Sequence, residues 1–189
     1  MKKAFLAMAG ILIVFSGILP AGESGITVKP YGYVRLDALY ETGASSHGNY
    51  ALWAEDPGTS EGLFYLTARQ TRLGLNIGGV AFGDFKATAK VEIDFYGSGA
   101  ENKPMNYMRH AYLRITNGKL TIIAGQYWDI INPLNPATIN YPVLWGAGNI
   151  GYRRPQLSLR YDFASGKNLY SLQGGIFRTI AADYDGNGI

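Results

Sequence analysis

The sequence predicts an all-β fold, an antiparallel transmembrane β-barrel of which about seven strands are present. Three observations predict it. The chain opens on a short apolar leader. The segments that follow alternate apolar and polar side chains with a period of two. The connectors between them are long and short in turn. Composition agrees: 47% hydrophobic, 16% charged, 25 Gly and 14 Tyr suit strands, tight turns and interfacial aromatics better than a helical membrane protein. There is no Cys, so no disulfide framework, thiolate metal site or thiol nucleophile is available.

Met1-Lys2-Lys3 is a positive start, residues 4–19 carry no charge, and Pro20-Ala21-Gly22 break any helix. This is the order of a secretory signal peptide, assigned to residues 1–24, with 25–189 as the barrel segment. A transmembrane anchor fits less well, because 16 apolar residues fall short of the roughly 20 that span a bilayer as a helix. Without Lys2 and Lys3, 15 basic residues face 14 acids, so the formal charge falls from +3 to about +1. No basic run is present, and no nucleic-acid partner is expected.

The strands follow in order. Val28, Pro30, Gly32, Val34, Leu36, Ala38 and Tyr40 oppose Lys29, Tyr31, Tyr33, Arg35 and Asp37. Thr71, Leu73, Leu75 and Ile77 oppose Gln70, Arg72, Gly74 and Asn76. Phe85, Ala87, Ala89, Val91, Ile93 and Phe95 oppose Lys86, Thr88, Lys90, Glu92, Asp94 and Tyr96, a run of twelve residues with every charge on one side. Ala111, Leu113 and Ile115 oppose His110, Tyr112 and Arg114; Pro155, Leu157, Leu159, Tyr161 and Phe163 oppose Gln156, Ser158, Arg160 and Asp162. Segments near 120–127 and 169–180 are apolar or Gly-rich on both parities, which leaves their facing open. Arg69 and Arg109 break phase near strand ends, where a membrane-interface position would tolerate them.

The connectors at 41–64, 97–104 and 128–153 are the longer ones. Those at 78–84, Asn117-Gly118 and 164–168 are short. Long external loops and short periplasmic turns alternate in this way in outer-membrane barrels. Seven strands cannot close a barrel, since single-chain barrels have even counts from eight upward, so the chain is expected to be the N-terminal part of a larger one.

Four stretches carry a resemblance to a known family. Arg69-Gln70-Thr71-Arg72-Leu73-Gly74-Leu75 is similar to the second-strand stretch of Gram-negative porins. Gly83-Asp84-Phe85, leading to Lys90-Val91-Glu92-Ile93-Asp94-Phe95-Tyr96-Gly97, resembles the third strand of the DcaP-like trimeric porins. Met108-Arg109-His110-Ala111-Tyr112-Leu113 and Ala124-Gly125-Gln126-Tyr127-Trp128 resemble two further strands of that family, in the same order. The resemblance covers about half the chain. It implies a homotrimer of sixteen-stranded barrels in the outer membrane, a passive channel for small hydrophilic solutes, and a loop after Trp128 that folds inward to narrow the pore. That loop is residues 129–149 here, with Asp129, Asn132, Asn135 and Trp145 as its candidate constriction residues. Its Asn, Pro and aliphatic composition departs from the acidic loop of many general porins.

On the parity assigned inward, Lys29, Arg35, Arg72, Lys86, Lys90, Arg114 and Arg160 exceed Asp37, Glu92, Asp94 and Asp162 by three charges. Two readings follow: mild preference for anions such as small carboxylates, or charges that neutralise one another and keep the lumen wet. His110 lies on the same parity and is positioned to pair with Glu92 or Asp94. Glu41, Glu55, Asp56, Glu61, Glu101, Asp129, Asp183 and Asp185 fall in external connectors, an acidic crown suited to cations bridging lipopolysaccharide or simply to solvent. Asp183, Asp185 and Asn187 match the opening of an EF-hand-type calcium loop, though turn formation alone accounts for such residues; no other cofactor is expected. Trp145 suits loop packing, a girdle or sugar stacking. No hydrolase, zinc-protease or nucleotide-binding motif occurs, so an enzyme is not expected. A structural or adhesive barrel without an open channel is the alternative.

Overall fold

The computed structural model describes residues 25–42, 50, 52, 63–98, 102–131, 134–135, 138, 141–142, 145 and 148–179. The leader expected over 1–24 therefore lies outside the described residues, as do His47 and Trp53. Nine strands lie among the described residues: β1 (Thr27–Tyr33), β2 (Asp37–Glu41), β3 (Leu63–Thr67), β4 (Arg72–Phe82), β5 (Phe85–Asp94), β6 (Tyr107–Thr116), β7 (Leu120–Trp128), β8 (Arg153–Ser165) and β9 (Asn168–Phe177). Seven form one sheet in the order β1-β4-β5-β6-β7-β8-β9, every neighbour antiparallel; β2 and β3 pair separately. From β4 to β9 the strands run 9 to 13 residues, close to the 9–11 that cross a bilayer at a tilt.

The first two predicted strands are each broken once. Tyr33 pairs with Arg72 and Asp37 with Thr67, so β1–β4 and β2–β3 are two arms of one hairpin, interrupted at 34–36 and 68–71. Thr71 bridges the gap: its hydroxyl accepts the Arg35 amide at 3.1 Å and donates to the Arg35 carbonyl at 3.4 Å. A side chain thus replaces missing ladder bonds. Alternation continues across the break, with Val34 and Leu36 exposed and Arg35 half-buried, so periodicity alone carries no sign of it.

The connector expected at 78–84 is mostly strand. A bulge shifts the register between Ile77 and Val80, with Gly79 at φ 90°, and only Gly83-Asp84 turn the chain. The one extra residue resets the parity, which hid the strand's second half from a period-two reading. The turn at Asn117 is one residue longer than expected, spanning 117–119, and the Asn117 side chain accepts the Lys119 and Leu120 amides at 3.1 and 2.8 Å. Short turns therefore gather at one end of the sheet and the longer connectors at the other.

Burial is inverted relative to a water-soluble sheet. Leu157 and Ile176 are 54% and 77% exposed, whereas Glu92, Asp94 and Ser158 are 4%, 0% and 3% exposed. Register shows why. Val28, Leu75, Val91, Leu113, Ile122, Leu157 and Ile176 share one face, and along the paired strands of this sheet the charged residue on that parity is Arg153, buried opposite Trp128 at the loop end. Near the short-turn end it bears stacked aromatics, Phe82 on Phe85 at 5.8 Å and Phe163 on Tyr170 at 5.5 Å. An apolar band edged by an aromatic girdle is the exterior that hydrocarbon requires. The compact aromatic core instead lies at the loop end, where Tyr96, Tyr141 and Trp145 pack with Tyr50, Leu52, Tyr107 and Trp128.

Candidate functional site

The opposite face of the sheet is polar from edge to edge. Cross-strand pairing places Lys29 beside Asn76, Asn76 beside Lys90, Lys90 beside Tyr112, and Tyr112 beside Gly125. Two rows nearer the turns, Lys86 faces Thr116, Thr116 faces Thr121, and Thr121 faces Arg160. The facing left open for β7 and β9 is resolved by register: Thr121, Ile123, Gly125 and Tyr127 join this face, with Ser171, Gln173 and Gly175. Arg35 and Asp37 sit in and beside the hairpin break, paired at 2.7 Å.

Glu92 is the hub of the loop-end half. Its carboxylate accepts the Tyr31 hydroxyl at 2.6 Å and the Arg109 Nε at 2.8 Å, with Lys90 at 3.4 Å and Arg72 at 3.6 Å. Arg109 also donates to Asp94 at 2.6 Å, and Asp94 accepts the Tyr96 amide at 3.2 Å. Tyr31 reaches Glu92 by lying across Gly74, where a Cβ would stand 2.3 Å from the ring. Gly74 leaves room for that ring.

Arg109 is the functional residue that the parity reading misplaced. Glu92 pairs with His110 and Ile93 with Met108, so Arg109 is the extra residue of a bulge. A bulge re-aims its side chain, here onto the polar face, where Arg109 is buried rather than at a membrane interface. Arg69 is also buried, in the turn between β3 and β4, with its guanidinium 4.5 Å over the Tyr96 ring and bonded to the Ser98 carbonyl at 3.2 Å. The phase breaks at both residues were the available signal. His110 stands opposite Glu92, but its Nδ1 has no hydrogen-bond partner among the described residues. Its ring lies 5.5 to 6.2 Å from those of Tyr112, Tyr127 and Trp128.

The turn-end half is open. Arg114, Arg160, Ser158 and Asp162 line a cleft of about 430 Å³ whose other wall is the start of the 129–152 connector, including Asp129, Ile130 and Asn135. Arg114 donates to the Tyr127 hydroxyl at 3.2 Å and lies over the Tyr112 and Tyr127 rings at 5.5 and 5.6 Å. Arg160 bonds Asp162 at 2.8 Å and Ser171 at 3.1 Å, and Ser171 bonds Asp162.

The connector itself is pinned against the polar face. Asp129 accepts Arg154 Nε at 2.5 Å and the Tyr152 amide at 3.1 Å. Trp145 is 6% exposed and its indole donates to the Gly151 carbonyl at 2.7 Å, which makes it a packing residue rather than a stacking platform. Tyr141 accepts from Arg109 at 3.2 Å and from Arg153 at 3.1 Å. Burial pushes the Tyr141 phenol above its ordinary range and the Tyr50 phenol up to about 12, so both stay protonated near neutral pH. Asn132, and the candidate calcium ligands Asp183, Asp185 and Asn187, lie outside the described residues. Among the described residues no group of three or more carboxylates and histidines is placed to hold a metal.

No protein-family model matches the chain, and no curated protein matches it. Among solved structures it is similar to the outer membrane channel DcaP of Acinetobacter baumannii, at 26% identity and a TM-score of 0.59. The likeness covers 82% of this chain and 42% of that one, so the chain spans about two fifths of the channel's length. It bears out the resemblance read in the sequence and the all-β antiparallel architecture.

Proposed function

We propose that this chain forms part of the wall of an outer-membrane porin, a water-filled passage for passive diffusion of small hydrophilic solutes. The observation that carries the reading is the division of the sheet into an apolar face, free of charge except for Arg153 at its loop end, and a polar face with a connector folded over it. Likeness to an outer membrane channel supports it.

Within the described residues β1 and β9 each pair on one side only, and hydrocarbon does not tolerate such edges. Further strands close the wall, to sixteen in a homotrimer if the resemblance extends over the whole protein. The lumen is lined by Lys29, Arg72, Lys86, Lys90, Glu92, Arg114 and Arg160, and the 129–152 connector narrows it. Because Glu92 and Asp94 are enclosed by cations while Arg114 borders open space, the passage favours anions, small carboxylates among them. Outer-membrane lipid covers the apolar face, and external connectors meet lipopolysaccharide.

Swelling of liposomes carrying the protein tests this reading. Neutral sugars and small carboxylates should both enter, carboxylates faster than sugars of equal size. Liposomes that stay impermeable to both would reject it.

A further inference from the structure

We infer that Tyr141 is a latch. Its hydroxyl ties the 129–152 connector to two arginines of the wall, and the latched connector both narrows the passage and conceals a positive charge. The effect on passage rests on the porin reading; the latch does not.

The geometry is economical. One phenol oxygen accepts an N–H from Arg109 of β6 and one from Arg153 of β8, strands separated in the sheet by β7. The ring stacks on Tyr96 with centroids 3.9 Å apart, which fixes its approach. Arg109 is neutralised by Glu92 and Asp94, but Arg153 is not. Arg153 is 5% exposed and, among the described residues, forms no ion pair and has no hydrogen-bond partner for Nε or Nη1. Its surroundings are ring faces: Trp128 at 4.8 Å, Tyr107 at 5.3 Å, Trp145 at 5.7 Å and Tyr141 at 5.9 Å.

A buried guanidinium without a carboxylate is costly, and stacked rings offset only part of that cost. Two of those four rings, Tyr141 and Trp145, belong to the connector. Lifting the connector therefore removes half the cage and returns Arg153 to water with its charge intact. Widening of the passage and a gain of positive charge are thereby coupled, and anion preference rises as the connector opens.

Two variants of the purified protein test this. Y141F keeps the ring and deletes the acceptor. Amide exchange in the 129–152 segment should rise about tenfold or more, as loss of hydrogen bonds to charged groups implies, with β4–β8 unchanged. In planar bilayers its conductance should rise and its reversal potential move further toward anions. R153Q also loosens the latch but carries no concealed charge, so conductance should rise without the anion shift. Unchanged exchange in Y141F would overturn the latch. Raised exchange with unchanged conductance would overturn the narrowing, and an equal anion shift in R153Q would overturn the concealed charge. If the wild-type protein passes no current, the porin reading falls while exchange still decides the latch.

Discussion

The two halves of the polar face use the same residue types in opposite ways. Toward the loops, Glu92 and Asp94 are enclosed by Arg109, Arg72, Lys90 and Tyr31, and almost nothing of either carboxylate meets solvent. Toward the turns, Arg114 and Arg160 border an open cleft and lean on hydroxyls, rings and one half-buried carboxylate. The difference lies in cover. A bulge turns Arg109 inward and the connector presses Tyr141 onto it, whereas at Arg114 the start of the same connector only walls an open cleft. One half holds the wall together, and the other is what a passing solute meets. A count of charges along the strands weighs both equally and so misjudges the field in the passage.

The largest effect should come from the enclosed half. Asp94→Ala leaves Arg109 short of a buried partner and should cost about 3–5 kcal/mol, read as a lower urea midpoint in detergent micelles. Asp162→Ala, in the open half, should leave that midpoint in place; equal losses would erase the contrast between the halves. Next is a test that both halves share one face turned from lipid. Leu159→Arg on the apolar face should cost about 2–4 kcal/mol in lipid, while Gln173→Arg, at an exposed residue lining the cleft, should cost far less. Gly74→Ala should follow, at about 1–3 kcal/mol, because the added methyl displaces the Tyr31 ring from Glu92. The smallest effect belongs to transport: Arg114→Gln with Arg160→Gln should lower the anion-to-cation permeability ratio about two- to threefold and leave stability unchanged. A matching loss of stability would show that these arginines also hold the wall.

Much of this was legible in the sequence. Alternation over β5, β6 and β8 assigned both faces, because a half-buried strand can satisfy lipid and water in no other way. Alternation failed where the chain inserts residues without changing composition. The bulge after Ile77 converted a strand into an apparent turn, and the bulge at Arg109 converted a buried hub into an apparent rim residue. The break at 34–36 preserved the alternation and left no trace. Ile123 shows another limit: an apolar residue on the polar face, it is assigned only by its partners Arg114 and Ser158. Tyr141 had no local signal, since its role depends on arginines 32 and 12 residues away that folding brings to one oxygen.

The most direct test is the single-channel current of the purified protein in planar bilayers under a salt gradient. Discrete conductance steps with a reversal potential on the anion side are predicted, because the carboxylates toward the loops are enclosed by cations while Arg114 borders the open cleft. Steps with a cation-side potential would contradict the division of charge between the two halves. A folded protein that carries no current would contradict the passage itself and favour a structural or adhesive barrel.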